Sequence, residues 1–104
     1  MKILLVCACG SSTTILMQNM RDNLKEEEAG WSIEALSLSE AKNVFGRYDY
    51  ILLAPQVKFQ TSMIKDMCKD IPDITILNIQ SIDFGRCNGN AVLNMIRENE
   101  KNKM

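Results

Sequence analysis

The 104-residue sequence contains no histidine, and this absence limits the chemistry open to it. Catalytic Cys-His and Ser-His pairs are excluded, as is every zinc site that needs imidazole. Long runs of basic residues and long runs of apolar residues are missing too. The 12 basic residues form no stretch suited to nucleic acid, and no apolar stretch is long enough to cross a bilayer. Any covalent chemistry therefore needs another nucleophile, and we expect neither nucleic-acid binding nor direct membrane insertion.

Cysteine is sparse, at four residues: Cys7, Cys9, Cys68 and Cys87. The chain lacks a convincing export signal and is not rich in cysteine, so we expect reduced thiols and a cytoplasmic location. No Cys-x-x-Cys pair is present, and we predict no metal. Cys68 falls on the apolar face of a predicted helix and is interpreted as a core residue.

Short apolar runs alternate with amphipathic segments along the chain. The pattern predicts strands at Lys2–Val6, Trp31–Leu36, Asp49–Ala54 and Ile74–Ile79. It predicts helices at Thr13–Glu28, just after the capping box Ser37–Glu40, at Gln60–Ile71 and at Ala91–Asn99. We expect a loop over Ser81–Asn90 and a frayed tail over Glu100–Met104.

Four strand–helix alternations predict one α/β domain over residues 1–104, with a parallel four-stranded sheet flanked by helices on both faces. The first and third strands are uniformly apolar and belong in the centre, whereas the second alternates and belongs at an edge. These assignments give the strand order 2-1-3-4. Ligands of such sheets bind where the chain reverses direction, and Cys7, Pro55 and Gln56 lie at that switch point.

The loop after the first strand has the composition of an anion site. Its small residues allow backbone N–H groups to surround a tetrahedral anion, and the helix N-terminus adds partial positive charge. The same field favours the thiolate of Cys7, which is the nucleophilic form. A buried, inert cysteine at a strand end is the alternative. The predicted phosphate cradle comprises Ala8, Cys9, Gly10, Ser11, Ser12, Thr13 and Thr14.

The arrangement of a cysteine in a phosphate loop after the first strand resembles that of the low-molecular-weight tyrosine phosphatases. Their signature places arginine six positions after the cysteine, where this chain has Thr13. Their Asp-Pro acid is present only in reverse order, as Pro72-Asp73. Without the guanidinium, hydrolysis loses its main charge partner, so a phosphorylated Cys7 should wait for an acceptor. This is the behaviour of a carrier.

Three stretches, LLVCACGSSTT, LLAPQV and DFGRCNGNAVL, resemble the lactose/cellobiose-type IIB components of the sugar phosphotransferase system. The resemblance implies that Cys7 is the nucleophile and that the loop from Ala8 to Thr14 holds the phosphoryl group. Gln56 and Asp83 become candidate neighbours of the site. Two residues depart from the family pattern: Cys9 replaces a small non-thiol residue, and Phe84 replaces a frequent tyrosine.

The resemblance also implies a pathway. A IIA protein bearing phosphohistidine would donate to Cys7, and phosphocysteine would donate to a sugar held by a membrane IIC permease. A β-linked disaccharide such as cellobiose, chitobiose or lactose is the expected acceptor, and no cofactor is expected. Two alternatives stay open. One is a phosphatase or arsenate-reductase-like enzyme, and the other is a binding or redox module in which Cys7 is incidental.

Overall fold

The computed structural model describes residues 1–8 and 11–103. The strands are β1 (Lys2–Cys7), β2 (Ser32–Ser37), β3 (Tyr50–Leu53) and β4 (Thr75–Asn78). The α-helices are α1 (Ser11–Asp22), α2 (Leu38–Ala41), α3 (Thr61–Met67), α4 (Ser81–Gly85) and α5 (Gly89–Asn102). Short 3-10 segments cover Glu26–Glu28, Phe45–Arg47 and Pro55–Gln60.

The strands form one parallel sheet in the order β2-β1-β3-β4. Val6 of β1 pairs with Leu36 on one side and with Leu53 on the other. The uniformly apolar strands β1 and β3 therefore occupy the centre, and the alternating β2 lies at an edge. The predicted fold class and strand order are confirmed.

Alternate residues of β1 feed two hydrophobic cores, because successive side chains of a strand point to opposite faces. Ile3, Leu5 and Cys7 pack with residues of α1 and α5. Leu4 and Val6 pack with residues of α2 and α3. Helices therefore cover both faces of the sheet, as predicted, and β1 is buried on both sides.

The first helix ends at Asp22, so its predicted extension to Glu28 is wrong. Asn23 explains the stop. Its side-chain amide donates to the carbonyl of Asn19 at 2.8 Å, while its backbone N–H turns to Met20 at 3.1 Å. A side chain that competes for the helical carbonyl in this way favours termination.

The predicted loop over Ser81–Asn90 is also wrong, since it contains α4 and the start of α5. Asn88 caps α5 by accepting the backbone N–H of Ala91 at 3.1 Å. The predicted frayed tail is helical to Asn102. It is held there because the buried hydroxyl of Tyr50 donates to Asn99 and Glu100.

The third helix ends at Met67 and does not reach Pro72, so it is shorter than predicted. The backbone N–H of Cys68 is shared between the carbonyls of Ile64 and Lys65, which tightens the last turn. Cys68 is buried, as predicted, whereas its neighbour Met67 is exposed.

Candidate functional site

Cys7 is the last residue of β1 and lies at the carboxyl edge of the sheet. In the parallel register it stands opposite Ser37, the last residue of β2. Its side chain is only 2% exposed, and its Sγ lies 3.8 Å from the carbonyl oxygen of Leu36. This distance suits a weak S–H hydrogen bond to the carbonyl, so the thiol is held against the neighbouring strand.

A cleft of about 130 Å³ opens beside this thiol. Its volume is several times the roughly 30 Å³ that one water occupies in the liquid, so a tetrahedral anion fits within it. Three elements supply its walls: the end of β1, the first turns of α1 and the junction of β2 with α2. The lining residues are Cys7, Thr14, Ala35, Leu36, Ser37 and Glu40.

The first turn of α1 adjoins the end of β1, since Thr14 and Cys7 line the same cleft. The first turn of this 12-residue helix contains no acidic side chain that would oppose an anion there. Thr13, in that turn, is 1% exposed. Its Oγ1 is buried and, among the residues described, finds no hydrogen-bond partner. Buried hydroxyls are normally paired, and this unpaired one lies one residue before Thr14 of the cleft lining.

The opposite wall is formed by the capping box of α2. The backbone N–H of Ser37 donates to Glu40 Oε1 at 3.2 Å, and the Ser37 hydroxyl lies 2.9 Å from the same oxygen. These hydrogen bonds lower the pKa of the Glu40 carboxyl. The capping box itself is confirmed.

Sequence reasoning assigned Ser37 and Glu40 a capping role alone and missed their place beside Cys7. The signal was present in the strand order. In a parallel pair the carboxyl ends of β1 and β2 lie side by side, so the residues following β2 adjoin those following β1.

The predicted cradle is brought to the cleft in part. Thr14 lines the cleft, Thr13 is buried beside it in sequence, and Ala8 is exposed at the end of β1. Ser11 and Ser12 open α1. Cys9 and Gly10 lie outside the described residues.

The two candidate neighbours occupy other segments of the same edge. Gln56 is exposed in the 3-10 segment that follows β3, and Asp83 is half-buried in α4. The backbone N–H of Ala54 donates to the carbonyl of Val6 at 2.9 Å, which anchors the start of the Gln56 segment beside β1. Neither Gln56 nor Asp83 lines the cleft, and both stay predictions.

The remaining described cysteines differ from Cys7 in their surroundings. Cys68 is a buried free thiol whose pKa is raised by burial. Cys87 is a half-buried free thiol with a positive φ of 52° between α4 and α5. Within residues 1–8 and 11–103, no group of three or more acidic or thiol side chains is arranged to hold a metal ion. No helix in those ranges is both long and apolar enough to span a membrane.

Sequence comparison with known proteins finds a family that spans most of the chain. The family model described as "PTS system, Lactose/Cellobiose specific IIB subunit" matches residues 2–95. A curated relative, the galactose-specific EIIB component of a phosphotransferase system from Lactococcus lactis subsp. cremoris (strain MG1363), is 29% identical over 96 residues. The alignment covers 88% of each chain.

Solved structures show the same architecture. The lactose-specific IIB component domain from Streptococcus pneumoniae superposes with a TM-score of 0.81 at 20% identity, covering 94% of this chain and 95% of that one. The cellobiose-specific IIB component from Borrelia burgdorferi superposes with a TM-score of 0.70 at 38% identity. That match covers 90% of this chain and 85% of the other.

Proposed function

Since the chain belongs to the lactose/cellobiose-specific IIB subunits of the phosphotransferase system, we propose that it carries a phosphoryl group on Cys7. Membership makes it a component of a sugar phosphotransferase. The proposal adds the residue that is modified, the direction of transfer, the partners, and a single IIB domain over residues 1–104.

One observation carries the proposal: the thiol of Cys7 lines a cleft that it shares with Thr14, beside the N-terminus of a 12-residue helix. Partial positive charge and free backbone N–H groups at such a terminus favour an anion. The buried, unpaired hydroxyl of Thr13 in the same turn supports the choice, because an incoming phosphoryl oxygen would give it a partner. The proposed cradle runs from Ala8 to Thr14.

The proposed cycle has two balanced transfers. In the first, Sγ of Cys7 attacks the phosphorus of a phosphohistidine on a IIA protein. The N–P bond breaks, an S–P bond forms, and the thiol proton ends on the histidine nitrogen. In the second, a sugar hydroxyl attacks the same phosphorus. The S–P bond breaks, an O–P bond forms, and the hydroxyl proton returns to Cys7.

The acceptor sugar is proposed to be a β-linked disaccharide, such as cellobiose, chitobiose or lactose, held by a membrane IIC permease. The named relatives are specific for galactose, lactose and cellobiose, so the family alone spans several sugars. We place the chain in the cytoplasm, where a IIA donor and the inner face of a permease are both accessible.

A carrier is favoured over a phosphatase by Thr13. A phosphatase of this fold needs a cation there to stabilise charge on the transferring group, and threonine supplies none. We therefore expect negligible hydrolysis of p-nitrophenyl phosphate by the natural chain. Steady turnover that is lost in a Cys7→Ser variant would favour the phosphatase.

The direct test drives the chain with phosphoenolpyruvate, the general phosphotransferase proteins and a IIA protein of the same family. Intact-protein mass is expected to show the gain of one phosphoryl group, stable to acid and released by iodine, as a phosphothiol should be. Peptide mapping is expected to place it on Cys7. Phosphate on a hydroxyl residue, or no mass gain with an active relay, would overturn the proposal.

A further inference from the structure

Among the described residues that line the cleft beside Cys7, Glu40 is the one acidic residue, and none of them is lysine or arginine. Its carboxylate therefore has no cationic partner within that set. The first turn of α1, on the opposite wall, carries no acidic residue. The two walls of the cleft thus present opposite signs, with the helix N-terminus on one and Glu40 on the other.

We propose that Glu40 tunes the phosphoryl carrier by repelling the phosphoryl group on Cys7, so that the group is held loosely and transferred readily. This inference rests on the proposed function of Cys7. Glu40 acts here by electrostatic repulsion and does not bind the phosphoryl group.

The position of Glu40 is set by Ser37, which pairs with Cys7 across the β1–β2 register. The backbone N–H and hydroxyl of Ser37 both bond Glu40 Oε1, at 3.2 and 2.9 Å. These bonds orient the carboxylate and stabilise its ionised form. Glu40 is exposed, and its hydrogen bonds to Ser37 favour a negatively charged carboxylate at neutral pH.

A phosphoryl group on Sγ brings between one and two further negative charges into the same cleft. Cys7 and Glu40 line the same cleft of about 130 Å³, so the phosphoryl group and the carboxylate would share it. Charges closer than a Debye length, about 8 Å at physiological ionic strength, are only partly screened. Their repulsion raises the free energy of phosphocysteine relative to the free thiol. It favours breaking of the S–P bond in both directions, back to the histidine donor and onward to the sugar hydroxyl.

Glu40→Gln removes the charge and keeps the fold, because glutamine also completes a capping box. The measurement is the equilibrium constant for phosphoryl transfer between the phosphorylated IIA protein and this chain, read from intact masses. We expect the variant to shift this constant toward phosphocysteine by about threefold at 0.15 M salt, with a larger shift at low salt and almost none at 1 M. Glu98→Gln is the matched control, since Glu98 is exposed on α5 and absent from the cleft lining.

The salt dependence separates charge from structure. A shift that is the same at all salt concentrations, or that accompanies a lower unfolding midpoint, would assign Glu40 a structural role and overturn the inference. An unchanged equilibrium constant in a chain that is phosphorylated normally would overturn it while leaving the carrier intact. If the natural chain takes no phosphoryl group on Cys7, both proposals fall together.

Discussion

The two ends of α1 are built in opposite ways. At the C-terminal end, Arg97 of α5 donates to both carboxylate oxygens of Glu28, at 2.8 and 2.7 Å, and to the carbonyl of Asn23 at 3.1 Å. We call these three residues the clamp. At the N-terminal end lies the cleft, and in the first turn of α1 the hydroxyl of Thr13 is buried without a hydrogen-bond partner in the described chain.

This difference separates stability from function along one helix. Polar groups that are paired inside the fold stabilise it, whereas a buried polar group left unpaired costs free energy until a ligand binds. The clamp joins its charged groups to one another, so it has little to offer a ligand. The N-terminal end instead has the unpaired hydroxyl of Thr13 in the first turn of α1 and, in the cleft lining, the carboxylate of Glu40, which has no lysine or arginine among the described lining residues.

The largest effect is expected at the cleft end, where Cys7→Ser should abolish phosphoryl acceptance. A serine hydroxyl is a much weaker nucleophile than a thiolate and lacks an activating base in a chain without histidine. Cys9→Ser is the matched control and should keep most acceptance. Intact mass after incubation with the phosphorylated IIA protein measures both, and loss of labelling in Cys9→Ser alone would show that the wrong cysteine was chosen.

At the other end of α1, Gly89→Ala should lower the free energy of unfolding by about 3 kcal/mol. A Cβ at Gly89 would lie 2.4 Å from the backbone nitrogen of Met20 and 2.6 Å from the carbonyl carbon of Asn19. Both atoms belong to the backbone of α1, so α5 would have to move away from it.

Gly85→Ala provides the control for this packing argument, because a Cβ at Gly85 would meet no atom of another described segment within 4 Å. Urea denaturation should show that variant within about 1 kcal/mol of the natural chain, with helix propensity favouring alanine. Equal stability of the Gly89 and Gly85 variants would mean that the two helices do not need their close approach.

The clamp should make stability depend on acid pH. Its hydrogen bonds from Arg97 lower the pKa of Glu28 from 4.5 to about 2. The ion pair therefore contributes fully above about pH 4.5, and its contribution is lost as pH falls toward 2. We expect the full loss to approach about 3 kcal/mol for this group, at about 1.36 kcal/mol for each pH unit by which the pKa is lowered.

The matched variant is Glu28→Gln, which keeps the shape and removes the titrating carboxyl. Denaturant unfolding at intervals from about pH 6 to about pH 2.5 should show a steeper fall for the natural chain than for the variant. Parallel curves for the two chains would show that the clamp is not the source of the acid sensitivity.

The smallest effect is expected from Thr13→Val, which removes the unpaired hydroxyl at nearly constant volume. Folding should be unchanged or stabilised by less than about 1 kcal/mol, since the hydroxyl makes no hydrogen bond within the described residues. Phosphoryl acceptance should slow roughly tenfold, the value of one hydrogen bond to a charged oxygen. A variant that loses stability and keeps its acceptance rate would reverse the contrast between the two ends of α1.

Local sequence patterns predicted much of the fold. The apolar runs of β1 and β3 and the alternation of β2 each depend on which faces a strand buries, and together they predicted the strand order. The capping box from Ser37 to Glu40 depends on residues three positions apart, so it could be predicted from the sequence as well. Helix ends were harder to predict. The sequence around Asn23 has a helical pattern, but the side chain of Asn23 ends α1 by a hydrogen bond to a helical carbonyl.

The sequence by itself determined the strand order, the placement of Cys7 at a strand end before a helix, and the absence of any histidine to assist it. Only the tertiary structure decided that Glu40 shares the cleft with Cys7 and that Glu28 meets Arg97. The physical reason is range. Strands, caps and turns are set by neighbours within a few positions, whereas these two arrangements join distant segments through the sheet register and the packing of α5 on α1.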